Sequence, residues 1–175
     1  LVTGIGMLET SFQLTRKLTL ESYDLVINCG LAGSFDRSIP LGTAVKVREE
    51  ILSELGAEDG EQFLSIAEIG LKAEWKFRSD IADKIFPQLK SVTSITVNTV
   101  HGNEANISKI TERLHPEIES MEGAAAYFVC DQFNTPCIGI RSISNYVEKR
   151  NKAAWNIPLA LEQLKIALTN GIEQI

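Results

Sequence analysis

Apolar residues fall into two rhythms along this chain. Short runs rich in β-branched residues recur at 1–4 (LVTG), 24–30 (DLVINCG), 43–47 (TAVKV), 93–100 (TSITVNTV) and 136–144 (PCIGIRSIS). Runs of that length, apolar almost throughout, predict strands buried on both faces. Between them, helical spacing predicts helices over 7–18, 79–89, 104–115, 122–133 and 159–171. Strands that alternate with helices predict an α/β sheet.

Glycine punctuates this pattern at Gly4 and Gly6, at Gly30 and Gly33, and at Gly102. Such positions are expected at the carboxyl ends of strands, the edge where open α/β sheets place their ligands. The acidic, glycine-bearing stretch SELGAEDGEQF at 53–63 has no period and predicts a solvated excursion. Leu1-Val2 runs straight into TGIG without a turn or cap, so the chain is expected to be an N-terminally incomplete sheet.

Composition narrows the class. A length of 175 residues with 44% hydrophobic and 23% charged residues suits one core, hence a single domain over 1–175. A net charge of −6 without a basic stripe argues against nucleic acid and against an anionic membrane surface. Cys29, Cys130 and Cys137 sit singly in apolar runs, as reduced cysteines do. No run is long enough to span a bilayer and no basic leader precedes LVTGIG, so a cytoplasmic location is expected.

Several polar groups punctuate strand ends. TGIGM lacks the third glycine of a dinucleotide fingerprint and predicts a tight turn into a helix, with its backbone N–H groups free to meet an oxygen. NCGLAGS lets backbone approach a ligand or a packed neighbour without an intervening Cβ. In NTVHGNE, Thr99, Val100 and His101 are candidates for one wall of a pocket, although a lone strand-end histidine is more often a hydrogen-bonded structural residue. His115, just before Pro116, suits a helix C-terminus.

GIRSISNY places Arg141, Ser144 and Asn145 where a strand runs out; the amide offers one donor and one acceptor to a purine edge, or forms an Asx turn. ESMEGAAAYFVC sets Glu122 at the edge of a small, apolar helix, where a carboxylate needs a partner. No cysteine pair, H-x-x-x-H or carboxylate cage indicates a metal, and no cofactor is expected.

INCGLAG, ESMEGAAA and IRSISN, in this order and separation, resemble the nucleoside phosphorylase and nucleosidase superfamily over essentially the whole chain. The tail RSISNYVEKRNKAAWNIPLALEQL is most similar to its futalosine hydrolase branch. The resemblance implies a three-layer α/β/α fold with a mixed central sheet, here lacking its N-terminal strands. It implies hydrolysis of the N-glycosidic bond of futalosine, releasing hypoxanthine in a route to menaquinone, by a homo-oligomer acting on a small purine nucleoside. Phosphorolysis, methylthioadenosine/S-adenosylhomocysteine hydrolysis and nucleoside binding without turnover are the alternatives.

By the same resemblance, Met121 packs on the ribose while Glu122 accepts from its 2′ and 3′ hydroxyls. Thr99 and His101 neighbour the base. Ser144-Asn145 replaces the Ser-Asp of adenine-specific relatives. An amide can donate to a 6-oxo group while accepting from a protonated N7, which favours hypoxanthine or guanine. Asn28 and Leu31 stand where phosphorylases carry an arginine and a serine for phosphate, so water is the expected nucleophile. The acid that orients this water is implied upstream of LVTGIG, and no residue of the sequence takes its part. Arg141 and Arg150 are, by charge alone, candidates for the 5′ carboxyphenyl group.

Overall fold

The computed structural model describes residues 1–173. Its elements run α1 (Gly6–Leu20), β1 (Val26–Ser34), β2 (Ala44–Leu52), β3 (Gly56–Asp59), β4 (Gln62–Ser65), β5 (Lys76–Arg78), β6 (Lys90–Thr96), α2 (Glu104–Leu114), β7 (Ile118–Ser120), α3 (Gly123–Gln132), β8 (Cys137–Tyr146) and α4 (Ile157–Ile172). The main sheet is mixed, in the order β5-β2-β6-β7-β1-β8, and a further antiparallel pairing of β2 with β8 bends it into a closed ring.

The alternation of side chains along each strand sorts the core into two faces. On β1, Val26 packs toward one cluster and Ile27 toward another; on β8, Cys137 and Ile143 join the first, Ile138 and Ile140 the second. The first cluster is covered by α1, through Leu14 and Leu18, and by α3, through Ala126, Tyr127 and Val129. The second is covered by Leu164 of α4 and by Phe86. Helices on both faces of a mixed sheet give the expected three layers.

Local chemistry sets most boundaries. Asn103 caps α2 by accepting the Asn106 N–H at 3.2 Å, and His115 ends it in the left-handed conformation at φ 47°. That is the helix-terminal part expected of His115. Asn156 caps α4 from its side chain, accepting the Leu159 N–H.

Four expectations are corrected. Residues 1–4 form no strand: Leu1 and Val2 are 72% and 91% exposed, and the chain turns at Gly4 and Gly6, both with positive φ, into α1. An extended segment becomes a strand only when a ladder partner takes its N–H and C=O groups. Residues 79–89 form turns rather than a helix, because Phe86 takes a positive φ before Pro87 and its ring is buried against Gly171 of α4. The 53–63 excursion contains β3 and leads into β4, its antiparallel hairpin partner. Gly30 and Gly33 lie inside β1, not at its end, since the strand runs on to Ser34 beside β8.

Candidate functional site

The site is built where three strands run side by side. In the ladder, Gly33 of β1 is opposite Glu119 of β7 on one side and Asn145 of β8 on the other, with a register shift between Ala32 and Gly33 on the β8 side. Adjacent strands lie about 4.8 Å apart, so the backbones at Glu119 and Asn145 are about 10 Å apart, with a residue that has no side chain between them. A Cβ at position 33 would meet Asn145 Nδ2 at 3.1 Å and Glu119 Cγ at 3.6 Å. Glycine therefore keeps a trough open between a carboxylate and an amide. A cavity of about 200 Å³ occupies this place, walled by Gly33, His101, Glu119, Asn145, Arg150 and Trp155 among others. A larger hollow of about 410 Å³ lies at the other end of β8, beside Cys137, away from these groups.

Asn145 is held in one orientation. Its Oδ1 accepts the Ser144 hydroxyl at 2.8 Å and its Nδ2 donates to the Tyr146 carbonyl at 3.1 Å. An amide carries two donors and two acceptor lone pairs, so one of each is left over. Ser144 itself is 5% exposed. It lies behind the amide and orients it.

His101 is fixed by Glu119, which the sequence pattern did not single out. The Glu119 carboxylate is 3% exposed; one oxygen accepts the His101 backbone N–H at 3.0 Å and the other lies 2.6 Å from Nδ1 of the ring. Phe35 packs edge-on against the imidazole. A buried carboxylate needs such partners. Glu119 sits in a three-residue strand, too short to show a period, and its acidic neighbour Glu117 makes it resemble a solvated pair.

Glu122 occupies a second corner. It precedes α3 as its N-cap residue, and its carboxylate accepts the backbone N–H of Gly6 at 2.9 Å and of Met121 at 3.3 Å. The carboxylate thus meets the first N–H of α1, an arrangement the helix dipole favours. The N–H groups of the TGIG turn thus meet an oxygen of the protein itself. Glu122 and Met121 are half-buried and do not wall the cavity of Asn145; Thr99 is exposed and does not wall it either. Glu122 follows Glu119 by three residues, so their Cα atoms are at most about 11 Å apart. That is within the length of a nucleoside.

Two basic candidates separate. Arg141 is 1% exposed, and its guanidinium donates to the Asn28 carbonyl at 2.6 Å, to the Ile140 carbonyl at 3.2 Å and to Asn28 Oδ1. It is sealed inside the sheet and corrects the expectation that it receives a substrate carboxylate. Asn28 is spent on this contact. Arg150 is exposed at the cavity mouth.

Another buried acid belongs to none of these contacts. Glu50 of β2 is fully buried; its Oε1 accepts from Ser94 at 3.1 Å and Thr96 at 2.7 Å, and its Oε2 has no hydrogen-bond partner. Burial pushes its carboxyl up to about 7, against the pull of Arg141 and the two hydroxyls. A Cβ at position 123 would overlap this carboxylate, which is why α3 opens on glycine. Among the described residues no cluster of three or more His, Cys, Asp or Glu could hold a metal, and no helix is long and apolar enough to cross a membrane.

Comparison with known proteins places the chain in a family. The chain is 30% identical over 151 residues to a futalosine hydrolase of Streptomyces coelicolor, covering 83% of this chain and 64% of the relative's length. It is 27% identical to a futalosine hydrolase of Thermus thermophilus, covering 96% and 78%. The fold matches a solved futalosine hydrolase of Helicobacter pylori with a TM-score of 0.85 at 15% identity, over 99% of this chain and 78% of that one. A 5′-methylthioadenosine/S-adenosylhomocysteine nucleosidase of the same organism matches equally, with a TM-score of 0.85 at 15% identity and the same coverage. At such identity these two likenesses establish architecture alone. The family model described as the phosphorylase superfamily matches residues 1–173, the span that holds the Gly33 trough, the Glu122 corner and the sealed Arg141, and the chain belongs to that superfamily.

Proposed function

We propose that the protein hydrolyses the N-glycosidic bond of a 6-oxopurine nucleoside, with futalosine as substrate and hypoxanthine as the released base. The observation that carries this reading is the oriented Asn145 amide, with one donor and one acceptor unspent, facing a cavity it shares with His101. A 6-oxopurine whose N7 takes up a proton on leaving presents the matching acceptor and donor; adenine presents a donor in place of the oxo group.

In this reading Glu122, with Met121 beside it, grips the ribose hydroxyls, and its negative charge favours the cationic sugar that forms as the bond breaks. Asn145 and His101, with Thr99 nearby, hold the base, and Ser144 keeps the amide turned. Water forms a bond to C1′ as the C1′–N9 bond breaks. The water gives up a proton to solvent as it becomes the C1′ hydroxyl, and the bonding electrons leave with the base, which gains a proton at N7. The engagement of half-buried Asn28 by Arg141 supports water rather than phosphate as the nucleophile. The free thiols suit a cytoplasmic setting. The exposed apolar residues Ile5, Leu8 and Phe12 on and beside α1 suit a homo-oligomer.

Incubation with futalosine in phosphate-free buffer is expected to release hypoxanthine, followed by chromatography of the base. Replacing Glu122 by Gln is expected to lower kcat/KM roughly tenfold or more, since a charge-assisted bond contributes about 1.5–3 kcal/mol. An absolute requirement for phosphate would instead make the protein a phosphorylase. Release of adenine from methylthioadenosine, with futalosine untouched, would select the activity named for the 5′-methylthioadenosine relatives.

A further inference from the structure

The segment after β8 reads VEKRNKAAW, and it places Lys149, Arg150 and Lys152 close together in a chain of net charge −6. Its acid, Glu148, is paired with Arg37. Among the described residues none of the three bases has an ion pair. Arg150 instead lies over the ring of Trp155, its Cζ 5.1 Å from the centroid. Both residues wall the cavity that holds Asn145 and His101.

This position is built rather than incidental. The Asn156 N–H donates to the Ser144 carbonyl at 2.8 Å, which ties Trp155 to the strand end that carries Asn145. A Cβ at Gly102 would lie 3.7 Å from the Glu148 carbonyl oxygen and 3.8 Å from the Arg150 nitrogen, so the 148–150 backbone rests on the loop that carries His101. Two other arginines near the sheet are engaged. Arg141 is sealed against Asn28. Arg113 stacks at 3.7 Å on Phe63 and donates to the Ser53 carbonyl, lining a different hollow.

We propose that Arg150, seated on Trp155, is the specificity-determining residue for an aromatic carboxylate carried on the 5′ side of the nucleoside. The inference rests on the nucleosidase reading above and deepens it. A guanidinium presents a planar pair of donors that matches a carboxylate, and the indole face beside it matches an aryl ring. A neutral 5′-methylthio group would leave the cation unused. A phosphate is the other anion that a guanidinium takes, but it would gain nothing from the indole.

The experiment compares wild type, Arg150→Ala, Arg150→Lys and Trp155→Ala on three substrates with the same base: the nucleosides futalosine and inosine and the nucleotide inosine 5′-monophosphate. Steady-state hypoxanthine release and calorimetric binding are both measured, so that affinity is read without turnover. The ratio of kcat/KM for futalosine over inosine is expected to fall roughly tenfold in Arg150→Ala, through KM rather than kcat, and to recover in part in Arg150→Lys. Trp155→Ala is expected to lower the same ratio, and added salt to narrow it in the wild type.

Equal losses on futalosine and inosine would reduce Arg150 to a structural part and overturn the assignment, as would an unchanged ratio. A wild type that prefers inosine 5′-monophosphate to futalosine would replace the aryl carboxylate by phosphate and also overturn it. Inosine bound and cleaved, with futalosine no better, removes this inference while the base-recognition reading stands. Failure to bind or cleave either removes both.

Discussion

Glu50 and Glu119 are both withdrawn from water, at 0% and 3% exposure, and both stand on strands of the same sheet. Their surroundings differ. Glu50 faces two hydroxyls and the start of α3, with one oxygen unpaired. Glu119 spends both oxygens on a histidine that shares a cavity with an oriented amide. The difference teaches that burial of a charge, or a displaced pKa, does not locate a site by itself. What locates it is the partner the charge holds and whether that partner can reach a ligand.

The largest effect that would break this comparison concerns stability. The Glu50 carboxyl is raised from its ordinary 4.5 to about 7 in the folded chain, so the folded state holds a proton that the unfolded state releases. Its contribution to stability is fully present below pH 4.5 and is lost as pH rises through about 7. At 1.36 kcal/mol per pH unit the loss is worth about 3 kcal/mol. Glu50→Gln cannot titrate, and its thermal midpoint is expected to stay nearly level between pH 5 and 8 while that of the wild type falls. Arg141, Glu122, Ser94 and Thr96 face the same carboxyl and remain in both proteins. Parallel curves for the two would show that Glu50 stays ionised throughout, and the contrast with Glu119 would vanish.

Glu119→Gln is expected to act the other way. It keeps the shape but loses the charge that two His101 groups meet, about 1.5 kcal/mol or roughly tenfold in kcat/KM. Its thermal midpoint should move less than its kinetics. A variant that unfolds before it loses activity would place Glu119 with Glu50, as a structural acid, and His101 would lose its support as a base-binding group.

The chain showed its β1, β2, β6 and β8 and four of its helices because their apolar periods are long enough to count. It hid β5 and β7, at three residues each, for the same reason. That is how Glu119 escaped notice, since a residue pair across strands leaves no trace in spacing. The 79–89 pattern misled because helical apolar spacing there serves a turn that buries Phe86 beneath α4. Asn145 and Glu122 were legible as polar groups at the edges of apolar runs. Their hydrogen-bond partners, Ser144, Tyr146, Gly6 and Met121, were decided by the fold.

The smallest effect concerns that orientation. Ser144 has a single hydroxyl hydrogen and two acceptors within reach, Asn145 Oδ1 at 2.8 Å and the Ala32 carbonyl at 3.3 Å, and the shorter bond turns the amide. In Ser144→Ala the amide keeps only its Tyr146 contact, and a half-turn about its last bond exchanges the oxygen and nitrogen presented to the base. A neutral bond of this kind contributes about 0.5–1.5 kcal/mol, so the preference for inosine over adenosine is expected to fall roughly threefold. Competition between the two nucleosides in one assay measures the ratio without regard to enzyme concentration. If Asn145→Asp shifts the ratio toward adenosine but Ser144→Ala leaves it where it was, the backbone alone holds the amide. Base recognition would then rest on Glu119 and His101, without the amide's help.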